Sequence, residues 1–217
     1  MSNGDVFSVS LDKNPLIKVE VVPGHFTTGY YHTNNYLDVS KLKASALVAR
    51  DVARELAVPY ISSTMVETIV CMDNTEVIGA YLAEELLEHG VSIINSGGEI
   101  HVLTPMGTTR GKMYFQDSVL EWLFEREILL LTATISSGRT IGSALECISY
   151  YGGNVVGIST LFLTSHEWSE HQVNPLFTAE DIPGFKQFYP ADCEMCKAGQ
   201  GLDAIISSDG YTRINTG

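Results

Sequence analysis

Basic residues are scarce in this chain. Its 217 residues include 13 lysines and arginines against 26 aspartates and glutamates, for a formal net charge of −13 at pH 7. Binding to a nucleic-acid backbone depends on basic surface, so this charge disfavours nucleic acid as a general partner. The composition weighs against a nucleic-acid-binding regulator.

Long apolar runs are also missing. None approaches the ~20 residues that a membrane-spanning helix needs, and the start Met1–Asp5 has neither the basic nor the apolar region of a signal peptide. We therefore expect a soluble, cytoplasmic protein with no membrane partner. A hydrophobic content of 45% is enough for the core of one globular α/β domain.

Cysteine is rare, with four in the whole chain. Cys193 and Cys196 form a C-x-x-C pair, which permits a zinc site or a redox pair. A structural zinc site needs four ligands, and the sequence has no second cysteine pair. His166 and His171 could complete a Cys₂His₂ set, although histidines placed before the pair fit no standard zinc finger. A reduced, partly buried thiol pair is the alternative interpretation.

Apolar strands alternate with amphipathic helices along most of the chain. The longest helix is predicted over Asp38–Ala57. The pattern continues as strand 66–71, helix 77–88, strand 91–95, helix 117–125, strand 128–132, helix 140–151 and strand 154–160. Such alternation predicts a parallel sheet that binds ligands at the carboxyl ends of its strands. After Phe162, scattered prolines predict an irregular segment.

One buried strand leads directly into a turn of small residues. The aliphatic run Ile128–Leu131 is typical of a strand covered on both faces. The turn that follows supplies hydroxyl groups, a glycine and the first N–H groups of a helix, which together attract anions. The candidate phosphate ligands are Ser136, Ser137, Gly138, Arg139 and Thr140. An ordinary tight turn between strand and helix is the alternative.

Residues 128–140 resemble the phosphoribosyl-pyrophosphate motif of type I phosphoribosyltransferases. That motif has four hydrophobic residues, an acidic pair, two further positions and a Thr/Ser-Gly-x-Thr/Ser loop for the 5′-phosphate. Here Thr132 and Ala133 replace the acidic pair, which holds the ribose hydroxyls in the family. The resemblance implies that the phosphate loop is kept and that the ribose site is remodelled, with Thr132 donating one hydroxyl.

The N-terminal part is similar to a segment of orotate phosphoribosyltransferases. Gly24–Gly29 and then Thr33–Asp38 follow their Phe-x-Leu-x-Ser-Gly and Ser-x-x-Tyr-x-Asp pattern, with Thr28 for the serine and one extra residue in the spacer. A polar turn before a helix is the alternative. His25 could act as an acid, but the sequence identifies no carboxylate partner, which favours a structural role.

The turn Met72–Glu76 occupies the position of the family's pyrophosphate loop. The resemblance implies pyrophosphate-loop roles for Asp73, Asn74, Thr75 and Glu76, with Asp73 and Glu76 near magnesium-bound pyrophosphate. The usual glycines are missing, so Asn74 is expected to take the left-handed backbone conformation. A helix start capped by Asp73 or Thr75 is the alternative.

A polar, glycine-rich stretch follows between Gly97 and Lys112. In the orotate enzymes this interval holds a loop whose lysine and arginine close over pyrophosphate, often across a dimer interface. The resemblance therefore implies catalytic roles for Arg110 and Lys112, which would neutralise the leaving group, together with Asp73. A solvated hairpin tip would have the same composition.

The resemblance spans most of residues 24–162 and implies an α/β, type I phosphoribosyltransferase-like fold, with a parallel sheet flanked by helices and a small irregular hood. Residues 1–217 would form one domain, with a core over about 24–162 and a hood or arm over about 1–23 and 163–217. The residues expected to bind phosphate or ribose are Thr132 and the turn Ser136–Thr140.

The implied activity is of the orotate phosphoribosyltransferase-like type, as in pyrimidine biosynthesis: transfer of a 5-phosphoribosyl group between pyrophosphate and a nucleobase by a homodimer, with Mg²⁺. The partners would be phosphoribosyl pyrophosphate, or a nucleoside 5′-monophosphate, and a nucleobase. Because the acidic pair is missing, the alternative is a catalytically impaired regulatory protein that binds a nucleotide or a phosphoribosyl group.

Overall fold

The computed structural model describes residues 5–88, 95, 97–107, 112–164, 172–207 and 210–214. Its strands are β1 (Phe7–Leu11), β2 (Asn14–Thr27), β3 (His32–Asp38), β4 (Thr68–Cys71), β5 (His101–Leu103), β6 (Met106–Gly107), β7 (Met113–Tyr114), β8 (Glu127–Ile135), β9 (Asn154–Leu163), β10 (Val173–Thr178), β11 (Gln187–Phe188), β12 (Ala204–Ser207) and β13 (Gly210–Arg213). The α-helices are α1 (Ser40–Ala44), α2 (Ala46–Ala57), α3 (Glu76–Glu88), α4 (Arg139–Tyr150) and α5 (Glu194–Lys197). Two 3₁₀ helices cover Asp117–Trp122 and Ala179–Asp181.

The chain forms two compact units. The first contains residues 1–42 and 178–217, and the second contains residues 43–177. Residues 24–42, which the sequence resemblance assigns to the core, lie in the first unit. Among the residues that the structure describes, no helix is long and apolar enough to cross a membrane.

The second unit is built on a five-stranded sheet in the order β10-β9-β8-β4-β5. Strands β5, β4, β8 and β9 run parallel to their neighbours. Residues Ile128–Leu131 of β8 are fully buried, as expected for a strand whose two faces are both covered. The parallel α/β sheet predicted from the sequence is thereby confirmed.

Helices cover both faces of this sheet. On one face, Ile141, Ala144 and Ile148 of α4 pack in a cluster with Ile128 and Leu130 of β8. On the other face, Gly79 lets α3 approach β4 so closely that a Cβ there would overlap the Cys71 sulfur. Burial also raises the pKa of the Cys71 thiol to about 12, so this side chain is an uncharged part of the core.

The first unit contains a second sheet, in the order β11-β3-β2-β12-β13, with β1 also paired to β2. Its neighbouring strands are antiparallel except for β2 and β12, which are parallel through Phe26 and Ala204. The segment after Phe162 therefore contributes three strands, β11, β12 and β13, to this sheet. It is more regular than the scattered prolines predict.

The N-terminal segment is a β-hairpin, and the predicted helix Asp38–Ala57 begins later than expected. Strand β3 extends to Asp38 because that residue still pairs with Glu20 of β2. The Asp38 carboxylate then accepts the N–H of Ser40 at 2.9 Å, where α1 starts. Ser45, in extended conformation, separates α1 from α2.

One other predicted element differs from the structure, and a second cannot be compared with it over most of its length. The predicted helix 117–125 is a 3₁₀ helix over Asp117–Trp122. The predicted strand 91–95 lies outside the described residues except for Asn95. The neighbour of β4 is instead β5, a three-residue strand that is too short to stand out as an apolar run.

Candidate functional site

The carboxyl ends of β4 and β8 are next to each other in the second unit. From β4, the chain first places β5 on one side and later β8 on the other side. The gap between β4 and β8 is therefore the point at which the strand order reverses, where ligands of such sheets bind. The turn Met72–Glu76 follows β4, and the loop Ser136–Thr140 follows β8.

The turn after β4 has an unusual backbone. Asp73 and Asn74 have φ values of 56° and 60°, and the N–H of Thr75 donates to the Met72 carbonyl at 3.2 Å. Two central residues with positive φ are typical of a type I′ turn, which aspartate and asparagine tolerate without glycine. The left-handed conformation predicted for Asn74 is confirmed, and Asp73 shares it.

Asp73 connects this turn to the neighbouring strand. The hydroxyl of Thr132 donates to Asp73 Oδ2 at 2.6 Å, and the N–H of Ala133 lies 3.4 Å from the same oxygen. Thr132 and Ala133 are 0% and 4% exposed. The carboxylate of Asp73 is thus held against Thr132 and Ala133, the two positions that the resemblance aligns with the acidic pair of the motif.

Thr75 and Glu76 form hydrogen bonds that connect the turn to neighbouring segments. The Thr75 hydroxyl lies 2.8 Å from the Met72 carbonyl oxygen and 3.3 Å from the Leu131 carbonyl oxygen. Thr75 therefore connects β4 to β8 by donating to carbonyl groups. Glu76 begins α3 and accepts a hydrogen bond from the Thr104 hydroxyl at 2.9 Å.

Lys43 contributes to the site, and the sequence analysis missed it. Its ammonium group donates to the Asp73 carbonyl at 2.8 Å, which places a positive charge beside the turn. Lys43 lies in a segment that looks like the polar face of an ordinary surface helix, so no local pattern distinguishes it. Only its hydrogen bond to the turn after β4 shows its role.

The loop after β8 has the form of an anion site. Gly138 takes the left-handed conformation, with φ 70° and ψ −6°, immediately before α4. As the N-cap residue Gly138 makes no side-chain hydrogen bond to the first turn of the helix, and the start of a helix is the end that favours anions. Ser136 and Ser137 are half-buried, whereas Arg139 and Thr140 are exposed.

Comparisons with solved structures match this architecture, although no protein-family model and no curated protein matches the sequence. UMP synthase from Leishmania donovani superposes with a TM-score of 0.54 and 17% identity, over 74% of this chain and 34% of that one. Adenine phosphoribosyltransferase from the same organism gives 0.51 and 12%, over 74% and 78%. Orotate phosphoribosyltransferase from Mycobacterium tuberculosis gives 0.47 and 13%, over 68% and 80%. This chain has a type I phosphoribosyltransferase fold.

Within the phosphoribosyltransferase fold, the stretch predicted to close over pyrophosphate contains a hairpin. Strands β6 and β7 pair antiparallel, Met106 with Tyr114 and Gly107 with Met113. Lys112 is exposed in the connection between the two strands, immediately before β7. Arg110 lies outside the described residues, so its predicted role stays a prediction.

The C-x-x-C pair lies in the first unit, whereas the candidate phosphate loop Ser136–Thr140 lies in the second. Cys193 and Cys196 are next to His25 and His32. The histidines that the sequence analysis considered as partners, His166 and His171, lie outside the described residues.

Replacing Thr132 by valine tests the hydrogen bond that joins β8 to Asp73. We expect a loss of about 1–2 kcal/mol in the free energy of unfolding, because a partly buried carboxylate loses a charge-assisted hydrogen bond. Urea denaturation measures this loss. Thr134→Val on the same strand is the matched control, since Thr134 is exposed and should change stability by less than about 0.5 kcal/mol. Equal effects of the two substitutions would show that the bond contributes little.

Proposed function

We propose that the protein binds a 5-phosphoribosyl group at the carboxyl ends of β4 and β8 and transfers it between pyrophosphate and a nucleobase. The contact between Asp73 and Thr132 carries this proposal. It supplies one carboxylate from β4 at the place where β8 lacks its acidic pair, beside a loop suited to a phosphate. A phosphoribosyltransferase fold supports the proposal but does not by itself fix the activity.

Each part of phosphoribosyl pyrophosphate, the donor in this reaction, has candidate binding residues. The helix N-terminus at Gly138 and the hydroxyls of Ser136, Ser137 and Thr140 would hold the 5′-phosphate, with Arg139 beside them. Asp73 and Thr132 would face the ribose hydroxyls. The turn Asp73–Glu76 would meet pyrophosphate, and Arg110 and Lys112 would neutralise its charge as it leaves.

A magnesium ion fits the carboxylate groups that the turn Asp73–Glu76 offers. Asp73 and Glu76 offer carboxylate oxygens, the ligands that Mg²⁺ prefers, and Mg²⁺ is commonly held by one or two carboxylates together with substrate phosphates. When bound, it would offset the negative charge that these two residues place near pyrophosphate.

In the proposed reaction, the bond between ribose C1 and the pyrophosphate oxygen breaks, and its electron pair leaves with pyrophosphate. A ring nitrogen of the base then forms the new bond to C1, and the proton that this nitrogen carried in the free base goes to solvent. The Asp73 carboxylate would stabilise the positive charge that develops on the ribose between these events. A homodimer, in which the segment around Arg110 serves a neighbouring copy, is part of this proposal.

A phosphoribosyl-binding protein without efficient transfer is the second candidate. It is favoured by the burial of Thr132 and Ala133, which leaves Asp73 to replace two carboxylates with one. Hydrogen bonds to charged groups contribute about 1.5–3 kcal/mol each. Losing one of them at the ribose would slow transfer by about 10- to 150-fold while the phosphate loop still binds.

Calorimetry and a turnover assay distinguish the two candidates. We would titrate the protein with phosphoribosyl pyrophosphate and Mg²⁺, with purine and pyrimidine 5′-monophosphates, and with inorganic phosphate. In parallel, pyrophosphate release would be followed with a panel of nucleobases. Donor binding with release on addition of one base class supports the transferase. Binding of the monophosphates without any release supports the binding protein, and no binding of any of these ligands contradicts both.

A further inference from the structure

Two histidines and two cysteines converge inside the first unit. His25 and Cys193 are completely buried, His32 is 8% exposed, and Cys196 reaches the surface. The four potential ligand atoms all lie within 4.8 Å of one another. These residues come from opposite ends of the chain, with His25 on β2, His32 at the start of β3, and the cysteines at α5.

Four of the six separations between ligand atoms are close to those around a tetrahedral zinc ion, and all six are within 4.8 Å. His25 Nε2 lies 3.1 Å from His32 Nδ1, 3.5 Å from Cys193 Sγ and 3.7 Å from Cys196 Sγ. Cys196 Sγ is 3.3 Å from His32 Nδ1. Zn–N bonds of about 2.0–2.1 Å and Zn–S bonds of about 2.3 Å, arranged tetrahedrally, separate the ligand atoms by about 3.3–3.8 Å.

The backbone fixes which nitrogen of His25 faces the cluster. Nδ1 lies 3.0 Å from the Gln200 carbonyl oxygen and 3.1 Å from the Gly201 carbonyl oxygen. Carbonyl oxygens only accept hydrogen bonds, so Nδ1 carries a proton and Nε2 of the neutral ring presents its lone pair to the cluster. A backbone carbonyl on the outer nitrogen is the usual second partner of a metal-binding histidine.

Hydrogen bonding alone accounts poorly for this arrangement. His25 Nε2 has one lone pair, yet three polar atoms approach it, namely the ring nitrogen of His32 and both sulfurs. Only one of them can donate to that lone pair with good geometry. A cation at the centre would satisfy all four groups at once, and two thiolates would cancel the charge of a divalent ion in this buried place.

We propose that His25, His32, Cys193 and Cys196 bind one Zn²⁺ ion in a closed structural site. Four protein ligands leave no open position, which is the arrangement of structural zinc sites and not of catalytic ones. The ion would attach the hairpin of β2 and β3 to the turn that begins α5. Binding would release the protons of the two thiols to solvent.

The position of His25 supports a structural role of this kind. It lies where the register of β2 and β3 shifts between Pro23 and Phe26, and its N–H donates to the Asp203 carboxylate at 2.7 Å. The Asp203 N–H in turn donates to the His25 carbonyl at 2.8 Å. The histidine is therefore held in place on both sides before any ion binds, which pre-organises the site.

Metal analysis of the full-length protein, purified under reducing conditions, tests the site. We expect one zinc ion per chain by mass spectrometry of the metal. We also expect Co²⁺, added to zinc-free protein, to give the visible bands of a tetrahedral site and a thiolate-to-metal charge-transfer band. Cys196→Ser should lower the zinc content by about tenfold or more, since even loss of a second-shell partner weakens zinc affinity by about 10–100-fold.

Cys147→Ser is the matched control because Cys147 is half-buried in α4, within the second unit. It should keep zinc and the cobalt spectrum unchanged. Zinc-free wild-type protein without the cobalt charge-transfer band would overturn the proposal, and so would full zinc content in Cys196→Ser. The cobalt spectrum of the wild type decides the question if a variant fails to fold. None of these readouts depends on phosphoribosyl binding, so the two proposals succeed or fail separately.

Discussion

Replacing Gly138 by valine should lower the affinity for phosphoribosyl pyrophosphate by about 10- to 100-fold. Gly138 has a φ of 70°, a region in which a β-branched residue costs about 1–3 kcal/mol. The loop would relieve that strain by rotating the peptide units whose N–H groups define the anion site. Each 1.4 kcal/mol lost from binding corresponds to about tenfold in affinity.

Gly142→Ala is the matched control for this substitution. Gly142 lies in the first turns of the same helix, and a Cβ there would contact nothing within 4 Å. Alanine at a helical position is favoured over glycine by about 0.8–1 kcal/mol, so stability should rise or stay the same. Calorimetry compares the affinities of the two variants for phosphoribosyl pyrophosphate. A Gly138→Val protein that folds and binds the donor as tightly as Gly142→Ala would show that the loop does not hold the phosphate.

The strand, turn and helix of the proposed phosphate loop could be predicted from the sequence because all of their determinants are local. Strand, turn and helix follow one another over residues 128–140, and Gly138 is the one residue there that adopts a left-handed conformation without strain. The buried strands and α3 were predictable for the same reason. Each of them gives an apolar pattern within a single short window.

Contacts between distant segments could not be predicted. The hydrogen bond from Thr132 to Asp73 depends on β4 and β8 being neighbours, which only the strand order establishes. Lys43 reaches the same turn from a segment with no distinguishing pattern. The sequence resemblance therefore predicts a replaced acidic pair but does not predict that a carboxylate from the turn after β4 lies at that place.

The cluster of two histidines and two cysteines also depends on contacts between segments that are distant in the sequence. The C-x-x-C pair is evident in the sequence, and the histidines that precede it most closely are the partners that the sequence indicates. The histidines that contact it in the structure lie more than 160 positions earlier. Two strand pairings bring the segment that carries the cysteines to these histidines: Phe188 of β11 pairs with His32, and β12 pairs in parallel with β2. No periodicity in the sequence announces that pairing, because β12 is only four residues long.

The second large effect is expected from substitution of Asp73, which lies in the turn after β4. Asp73→Asn should reduce transfer by about 10- to 150-fold, because the amide loses the charge that contributes about 1.5–3 kcal/mol through its hydrogen bonds. Binding of inorganic phosphate should change little, since Gly138 and its neighbours are unaltered. Turnover and phosphate affinity measured on the same preparation separate these two effects.

Restoring an acidic residue at Thr132 alone should fail for a physical reason. Thr132 is fully buried and its hydroxyl lies 2.6 Å from Asp73 Oδ2. In Thr132→Asp, two carboxylates would share one partly buried place, where like charges oppose ionisation and folding. We expect a loss of about 3–5 kcal/mol in the free energy of unfolding, as for other buried charges without a compensating partner.

The combined variant Asp73→Asn with Thr132→Asp moves the carboxylate from β4 to the position that it occupies in the phosphoribosyl-pyrophosphate motif. An asparagine amide can donate to the new carboxylate, so the double variant should be more stable than Thr132→Asp by about 1–3 kcal/mol, a coupling typical of groups in contact. Its turnover should exceed that of Asp73→Asn. Urea denaturation and pyrophosphate release complete this double-mutant cycle. Additive losses of stability and activity would mean that Asp73 does not replace the missing acidic pair, and that its contact with Thr132 serves only to shape the turn.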